Sequence, residues 1–225
     1  MEKNRIPLLD GWKFGLTGDK QAVRRDYDDS AWRTVDVPHD WQIEQPRRED
    51  ANPQQGFFPR EHIGVYRLHF TPDLSWQGKQ VRILFDGVQH FSTVYLNDQE
   101  VGGRPYGYVP FLCDLTDALR FGEENVLAVW VDNSNPEGFT LGGADRWYSG
   151  AGIYRKVSWQ VDGSPCRVRI DNGNAWSTLP FDAEEMPLHN GHILLIVEAG
   201  HEKGEARLRL KVEGLEERTL TFIFR

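Results

Sequence analysis

The chain has 225 residues and a formal net charge of −8 at pH 7, with 39% hydrophobic and 27% charged residues. Its length allows one large domain or two ordinary ones, and its acidic balance excludes duplex nucleic acid as a partner. No run approaches the roughly 18 apolar residues of a membrane-spanning helix, and the start resembles no signal peptide. The sequence therefore predicts a cytoplasmic protein with no membrane partner.

Short runs with the composition of β-strands recur along the chain. Each run is β-branched or aromatic and is bounded by turn residues. The run at 126–131 is apolar on both faces, which predicts a central, buried strand. In contrast, Leu208 and Leu210 alternate with Arg207 and Arg209, which is typical of a half-exposed strand. The predicted strands are 65–70, 81–85, 92–96, 126–131, 152–161, 193–197, 206–212 and 219–224.

Amphipathic helical patterns are nearly missing from the sequence. Only 28–32 and 114–121 fit a helical turn or two, so the pattern predicts an all-β protein built as a β-sandwich. Turn residues at 161–165 interrupt a strand and predict a boundary. Residues 1–162 then form a sandwich domain, and residues 163–225 form a unit with too few strands for a complete immunoglobulin-like sandwich of about seven. The apolar strand at 219–224 would leave an open edge, which predicts the N-terminal part of a longer protein.

The glycine-rich connection at 142–155 is the first candidate site. Asp145 can bind sugar hydroxyls, Arg146 can hold a carboxylate, and Trp147 can stack on a sugar face. The structural alternative is an irregular crossover, in which Trp147 and Tyr154 fill the core and Asp145 and Arg146 form an ordinary ion pair.

A second cluster lies at 37–41. Pro38 predicts extended backbone, His39 can titrate near neutral pH, and Asp40 can accept backbone N–H bonds. The alternative is a structural corner with Trp41 packed inside. The polar loop at 42–62 has no strand pattern, and its length predicts a lid, an interface arm or a mobile segment.

Several functional motifs do not occur in the sequence. It has no phosphate-binding loop, dinucleotide fingerprint or nucleophile elbow. Cys113 and Cys166 lack zinc spacing and are predicted to be reduced. His189 and His192 are three residues apart in a turn-rich segment without a third ligand. We therefore expect neither a metal nor another cofactor.

A series of short motifs from residue 8 to 162 resembles the N-terminal region of glycoside hydrolase family 2, the β-galactosidase and β-glucuronidase family. The resemblance implies a jelly-roll, galactose-binding-like sandwich at 1–162, followed by the start of an immunoglobulin-like sandwich at 163–225. The motifs are LDGWKF at 9–14, WRTVDVPHDW at 32–41, GVYR at 64–67, FDGV at 85–88, VYLN at 94–97 and DRWYSGAGIYRKV at 145–157.

This resemblance also implies a function for the parent protein. It would be a retaining, β-galactosidase-like enzyme whose two catalytic glutamates lie in a downstream TIM barrel, so no catalytic residue is expected in this chain. Asp145, Arg146 and Trp147 would bind the substrate, a terminal β-galactoside or related β-glycoside. His39, Asp40 and Trp41 would support that pocket. A homo-oligomer is a further expectation, and a stand-alone carbohydrate-binding or structural module is the alternative.

Overall fold

The computed structural model describes residues 5–53, 56–134, 148, 150–163, 166–174, 186–199 and 203–224. These residues contain strands and short 3₁₀ helices but no α-helix, which confirms the all-β prediction. The chain divides into two compact units, one made of residues 1–77 and 81–161 and the other of residues 78–80 and 162–225. Within the described ranges, none of the helices has the length and hydrophobicity needed to span a lipid bilayer.

The first unit is built from two antiparallel sheets. The six-stranded sheet has the order β3-β2-β4-β9-β6-β7, and the four-stranded sheet has the order β1-β10-β5-β8. Their strands are β1 (Arg5–Pro7), β2 (Trp12–Leu16), β3 (Arg33–Val35), β4 (Ile63–Phe70), β5 (Gln80–Phe85), β6 (Ser92–Leu96), β7 (Gln99–Arg104), β8 (Phe111–Asp114), β9 (Asn125–Asp132) and β10 (Val157–Asp162).

Strand β9 is the centre of the six-stranded sheet, between β4 and β6. Leu127, Val129 and Val131 are fully buried in the core. On the opposite face, Val126 and Ala128 are also at most 2% exposed. The prediction of a central strand that is apolar on both faces is therefore confirmed.

The strand predicted at 152–161 is shorter in the structure. Strand β10 begins only at Val157, and Gly152 instead forms an isolated bridge with Gln89. The helical prediction for 28–32 is wrong, because that segment is a turn closed by the Trp32 amide donating to the Asp29 carbonyl. Within the other helical candidate, 114–121, only Thr116–Ala118 form a helix, which is a 3₁₀ helix.

Cys113 on β8 is a free thiol that is 1% exposed. Burial raises the pKa of this thiol to about 12. Its sulfur lies against Gly102 of β7, where an added Cβ would come within 2.8 Å of Sγ.

Arg67 of β4 holds the segment between β2 and β3 against the outer face of this strand. Its fully buried guanidinium donates to Asp29 Oδ2 at 2.6 Å and to the carbonyls of Ala22 and Arg24 at 2.8 and 2.6 Å. His69 Nε2 lies 2.8 Å from the same Asp29 oxygen. These contacts hold the residues between β2 and β3 over the sheet.

The second unit consists, in its described part, of two pairs of antiparallel strands: β11 (Cys166–Asp171) with β12 (Leu194–Ala199), and β13 (Gly204–Leu210) with β14 (Arg218–Phe224). Leu208 and Leu210 are partly buried while Arg207 and Arg209 are exposed, so the predicted alternation is confirmed. His189 and His192 exchange backbone hydrogen bonds across a two-residue turn.

Candidate functional site

The structure describes half of the predicted site residues. Asp145, Arg146 and Trp147 lie outside the described residues, and the loop at 42–62 is described except at 54–55. His39, Asp40 and Trp41 are described and form a backbone ladder with the last part of the glycine-rich connection, at 151–153. The His39 amide donates to the Ile153 carbonyl at 2.8 Å, and the Trp41 amide donates to the Ala151 carbonyl at 3.1 Å.

The backbone just before this ladder, at Val37 and Pro38, is bent rather than extended. The prediction of extended backbone at Pro38 is wrong, because Val37 and Pro38 form a bend with a cis peptide bond between them. The Val37 side chain is buried in the core.

Asp40 is an anchor for residues on both sides of the ladder. Its Oδ1 accepts hydrogen bonds from the amides of Ala151 at 2.9 Å and Gln42 at 3.0 Å. Its Oδ2 accepts from the Tyr148 hydroxyl at 2.7 Å. Burial raises the pKa of Tyr148, and the Asp40 charge acts in the same direction. Because a carboxylate strengthens such bonds, Asp40 fixes the chain immediately after residues 145–147.

Trp41 has a packing role. Its ring is 1% exposed and stacks on Phe14, with centroids 5.5 Å apart. It also covers Gly64 of β4 so closely that an added Cβ would come within 2.5 Å of the ring. Trp41 therefore offers no face to a ligand and holds the ladder against the core.

His39 lies at the border of the core, with a side chain that is 10% exposed. Its Nδ1 is 2.7 Å from the Tyr66 hydroxyl, and its Nε2 is 3.2 Å from Glu44 Oε1. A neutral imidazole protonated on Nε2 satisfies both contacts, since Tyr66 then donates and Glu44 accepts. Burial lowers the pKa of His39 and outweighs the opposing effect of Glu44, while the nearby Arg33 guanidinium also lowers it.

The loop at 42–62 contributes an aromatic contact to the same region. The Phe58 ring packs edge-on against the Tyr148 ring at 5.9 Å, and the Arg47 guanidinium lies 5.2 Å from the Phe58 centroid. Within the loop, Arg48 pairs with Asp50 at 2.6 Å and also with Glu61. The length of the loop predicted a lid, an interface arm or a mobile segment, but no pattern in the sequence singled out Phe58 or Tyr148.

A buried amide pair was not predicted by any motif. Asn133 Nδ2 donates to Gln42 Oε1 at 3.4 Å, and both residues are at most 1% exposed. Gln42 Nε2 and Asn133 Oδ1 have no hydrogen-bond partner among the described residues. The pair joins the start of the loop to the end of β9, two residues before the undescribed stretch at 135–147.

The chemistry of this cluster is positioning. Both Asp40 oxygens are occupied by hydrogen-bond donors, and His39 is committed to Tyr66 and Glu44. Among the described residues, no group of three or more His, Cys, Asp or Glu side chains is arranged to hold a metal ion. The cluster instead fixes the backbone that follows the predicted sugar-binding residues.

Comparisons with known proteins find a matching domain model for each of the two units. A model of the glycosyl hydrolases family 2 sugar binding domain matches residues 6–162, and a model of glycoside hydrolase family 2 C-terminal domain 5 matches residues 152–221.

Individual relatives are similar over the first unit. A β-galactosidase from Bacteroides ovatus is 42% identical over 158 residues, which cover 70% of this chain and 18% of that protein. A putative β-glucuronidase from Formosa agariphila is 37% identical over 147 residues, covering 65% of this chain and 14% of that protein. The chain thus spans less than a fifth of either relative.

A solved structure is similar over nearly the whole chain. The crystal structure of a β-glycosidase from Bacteroides vulgatus has a TM-score of 0.70 and 31% identity, and the match covers 97% of this chain and 28% of that one.

Proposed function

Because the chain belongs to glycoside hydrolase family 2 through its sugar-binding domain, we propose that it is the N-terminal sugar-binding region of a longer retaining β-glycosidase. Its substrate is a terminal β-galactoside or a related β-glycoside. The match of the sugar-binding domain to residues 6–162 is the observation that carries this proposal. It is supported by relatives named as β-galactosidase and β-glucuronidase, of which the chain spans only a small part.

The division of labour follows from the residues of this chain. The two carboxyl groups of a retaining glycosidase stand about 5–5.5 Å apart, and we assign them to a downstream barrel. Here Asp145 accepts hydrogen bonds from sugar hydroxyls, Trp147 stacks on the ring, and Arg146 contacts oxygen atoms of the sugar. Asp40 and Tyr148 hold the backbone that follows these residues. Such positioning contributes to the rate because it removes motion of the bound sugar before the chemical step.

The test uses the full-length enzyme and the nitrophenyl β-galactoside and β-glucuronide. We expect Asp145→Ala to lower kcat/KM by about 100-fold or more, since a hydrogen bond to a sugar hydroxyl is lost at the reacting sugar. The melting temperature should stay the same. Asp117→Asn, a change at an exposed carboxylate of the 3₁₀ helix after β8, is the matched control. An unchanged kcat/KM in Asp145→Ala would remove this residue from the substrate site.

Two further measurements address the reaction itself. Proton NMR of the first product formed should show the same anomer as the substrate, and inversion would contradict the retaining mechanism. If the full-length protein hydrolyses neither glycoside, the alternative of a carbohydrate-binding or structural module takes the place of the proposal.

A further inference from the structure

A groove on the outer face of the six-stranded sheet has the composition of a ligand site. It encloses about 580 Å³ and is lined by parts of β6, β7 and β9. That volume lies within the range of roughly 300–1,000 Å³ that is typical of small-ligand sites. The residues of the His39, Asp40 and Trp41 cluster do not line it.

Trp130 forms the floor of the groove. It alternates along β9 with Val129 and Val131, which point into the core, so its indole lies on the outer face. It pairs directly with Thr93 of β6, and Thr93 pairs in turn with Gly103 of β7. The row therefore presents a partly buried indole, then a hydroxyl, then a residue without a side chain.

Charged groups surround this floor. Glu100, Arg104 and Asp132 line the groove. The side chains of Glu100 and Arg104 have no hydrogen bond or ion pair with any residue in the described ranges, and one Asp132 oxygen is taken by Ser134. The groove thus offers the carboxylate oxygens of Glu100 and Asp132 as acceptors, whereas Arg104 pairs with Ser92 on the face opposite to Thr93 and Trp130.

This combination fits a saccharide. A sugar ring has an apolar face that stacks on an indole, and its hydroxyls can donate hydrogen bonds to carboxylates. The two carboxylates give the groove a formal charge of about −2, which disfavours polyuronates. We propose that the outer groove at Trp130 binds a neutral saccharide chain, as a second carbohydrate site besides the one assigned to residues 145–147.

Binding is measured on this chain by electrophoresis through gels containing soluble galactan, xylan or β-glucan, with polygalacturonate as the acidic probe. Titration calorimetry with oligosaccharides of the retained polymer then gives Kd. We expect at least one neutral polymer to retard the protein. Trp130→Ala should raise Kd about tenfold or more, whereas Trp130→Tyr should keep most of the affinity because it keeps an aromatic face.

Glu100→Gln is an independent test at an exposed residue of β7, in case Trp130→Ala does not fold as judged by its melting temperature. It should raise Kd severalfold, and Asp117→Asn, which does not line the groove, should leave Kd unchanged. The proposal is overturned if no neutral polymer binds, if only polygalacturonate binds, or if the groove variants bind as the wild type does. Glycosidase activity does not enter this measurement, so its outcome is separate from that of the proposed function.

Discussion

At the scale of single residues, His39 makes the stability of the fold depend on pH. The folded protein holds this imidazole neutral because burial lowers its pKa from the ordinary value of 6.5. The unfolded chain takes up a proton below that value, so it then binds more protons than the folded chain. The free energy of unfolding therefore falls as the pH drops from about 7 through 6.5 towards the lowered pKa.

We expect His39→Gln to flatten this pH dependence, because an amide can contact Tyr66 and Glu44 without titrating. Urea unfolding at pH 7.5 and 5.5 measures the difference for each variant. His192→Gln, at an exposed histidine of the second unit, should keep the slope of the wild type. If His39→Gln kept it too, burial of His39 would not be the origin of the pH dependence.

The hydroxyl of Tyr148 gives a second prediction at this scale. Tyr148→Phe removes the 2.7 Å bond to Asp40 and should lower the free energy of unfolding by about 1 kcal/mol, since Tyr148 is partly exposed. Asp40→Ala should cost more, about 2–3 kcal/mol, because two backbone amides lose their acceptor. In the Asp40→Ala background, Tyr148→Phe should have almost no effect, which a double-mutant cycle by urea unfolding measures. Tyr106→Phe, at an exposed tyrosine, is the control.

At the scale of structural elements, Gly152 makes the ladder between 39–41 and 151–153 possible. Its φ is +112°, and an added Cβ would lie 2.2 Å from the Tyr66 hydroxyl and 2.8 Å from the His39 carbonyl oxygen. We expect Gly152→Ala to destabilise the protein by about 3 kcal/mol or more, through backbone strain and overpacking together. Gly122→Ala also has a positive φ but no atom within 4 Å, so thermal unfolding should show a loss of only about 1 kcal/mol.

The segment held by Arg67 gives another prediction. Arg67→Met leaves Asp29 without its buried partner and leaves several carbonyls without a hydrogen-bond donor. It should lower the free energy of unfolding, measured in urea, by about 3–5 kcal/mol. The matched change Arg155→Met, at an exposed arginine, should cost less than about 1 kcal/mol. A small effect at Arg67 would mean that packing alone holds the segment between β2 and β3.

The strands themselves were largely predictable, and the exceptions have physical reasons. Runs such as 126–131 carry enough β-branched residues to be recognised locally. Strand β7 contains two adjacent glycines and lies at a sheet edge, so it has little apolar pattern. The short strands β1 and β3 are only three residues long and are defined by their partners rather than by their own composition.

At the scale of the whole molecule, the order of short motifs predicted the family, which the match to residues 6–162 confirms. The contacts of the site were not predictable in the same way. Asp40 meets Tyr148 and Ala151 from more than 100 residues away in sequence, and Gln42 meets Asn133 from 91. Local composition carries no signal for such pairs, because the sheet topology alone brings them together.

The buried thiol of Cys113 can report how often the sandwich opens. A thiol with a pKa of about 12 and 1% exposure reacts with alkylating reagents only while β8 is separated from its surroundings. In a Cys166→Ser background, the labelling rate is therefore proportional to the fraction of time in which the core around Cys113 is open. Added sugar that binds only the folded sandwich would slow this labelling.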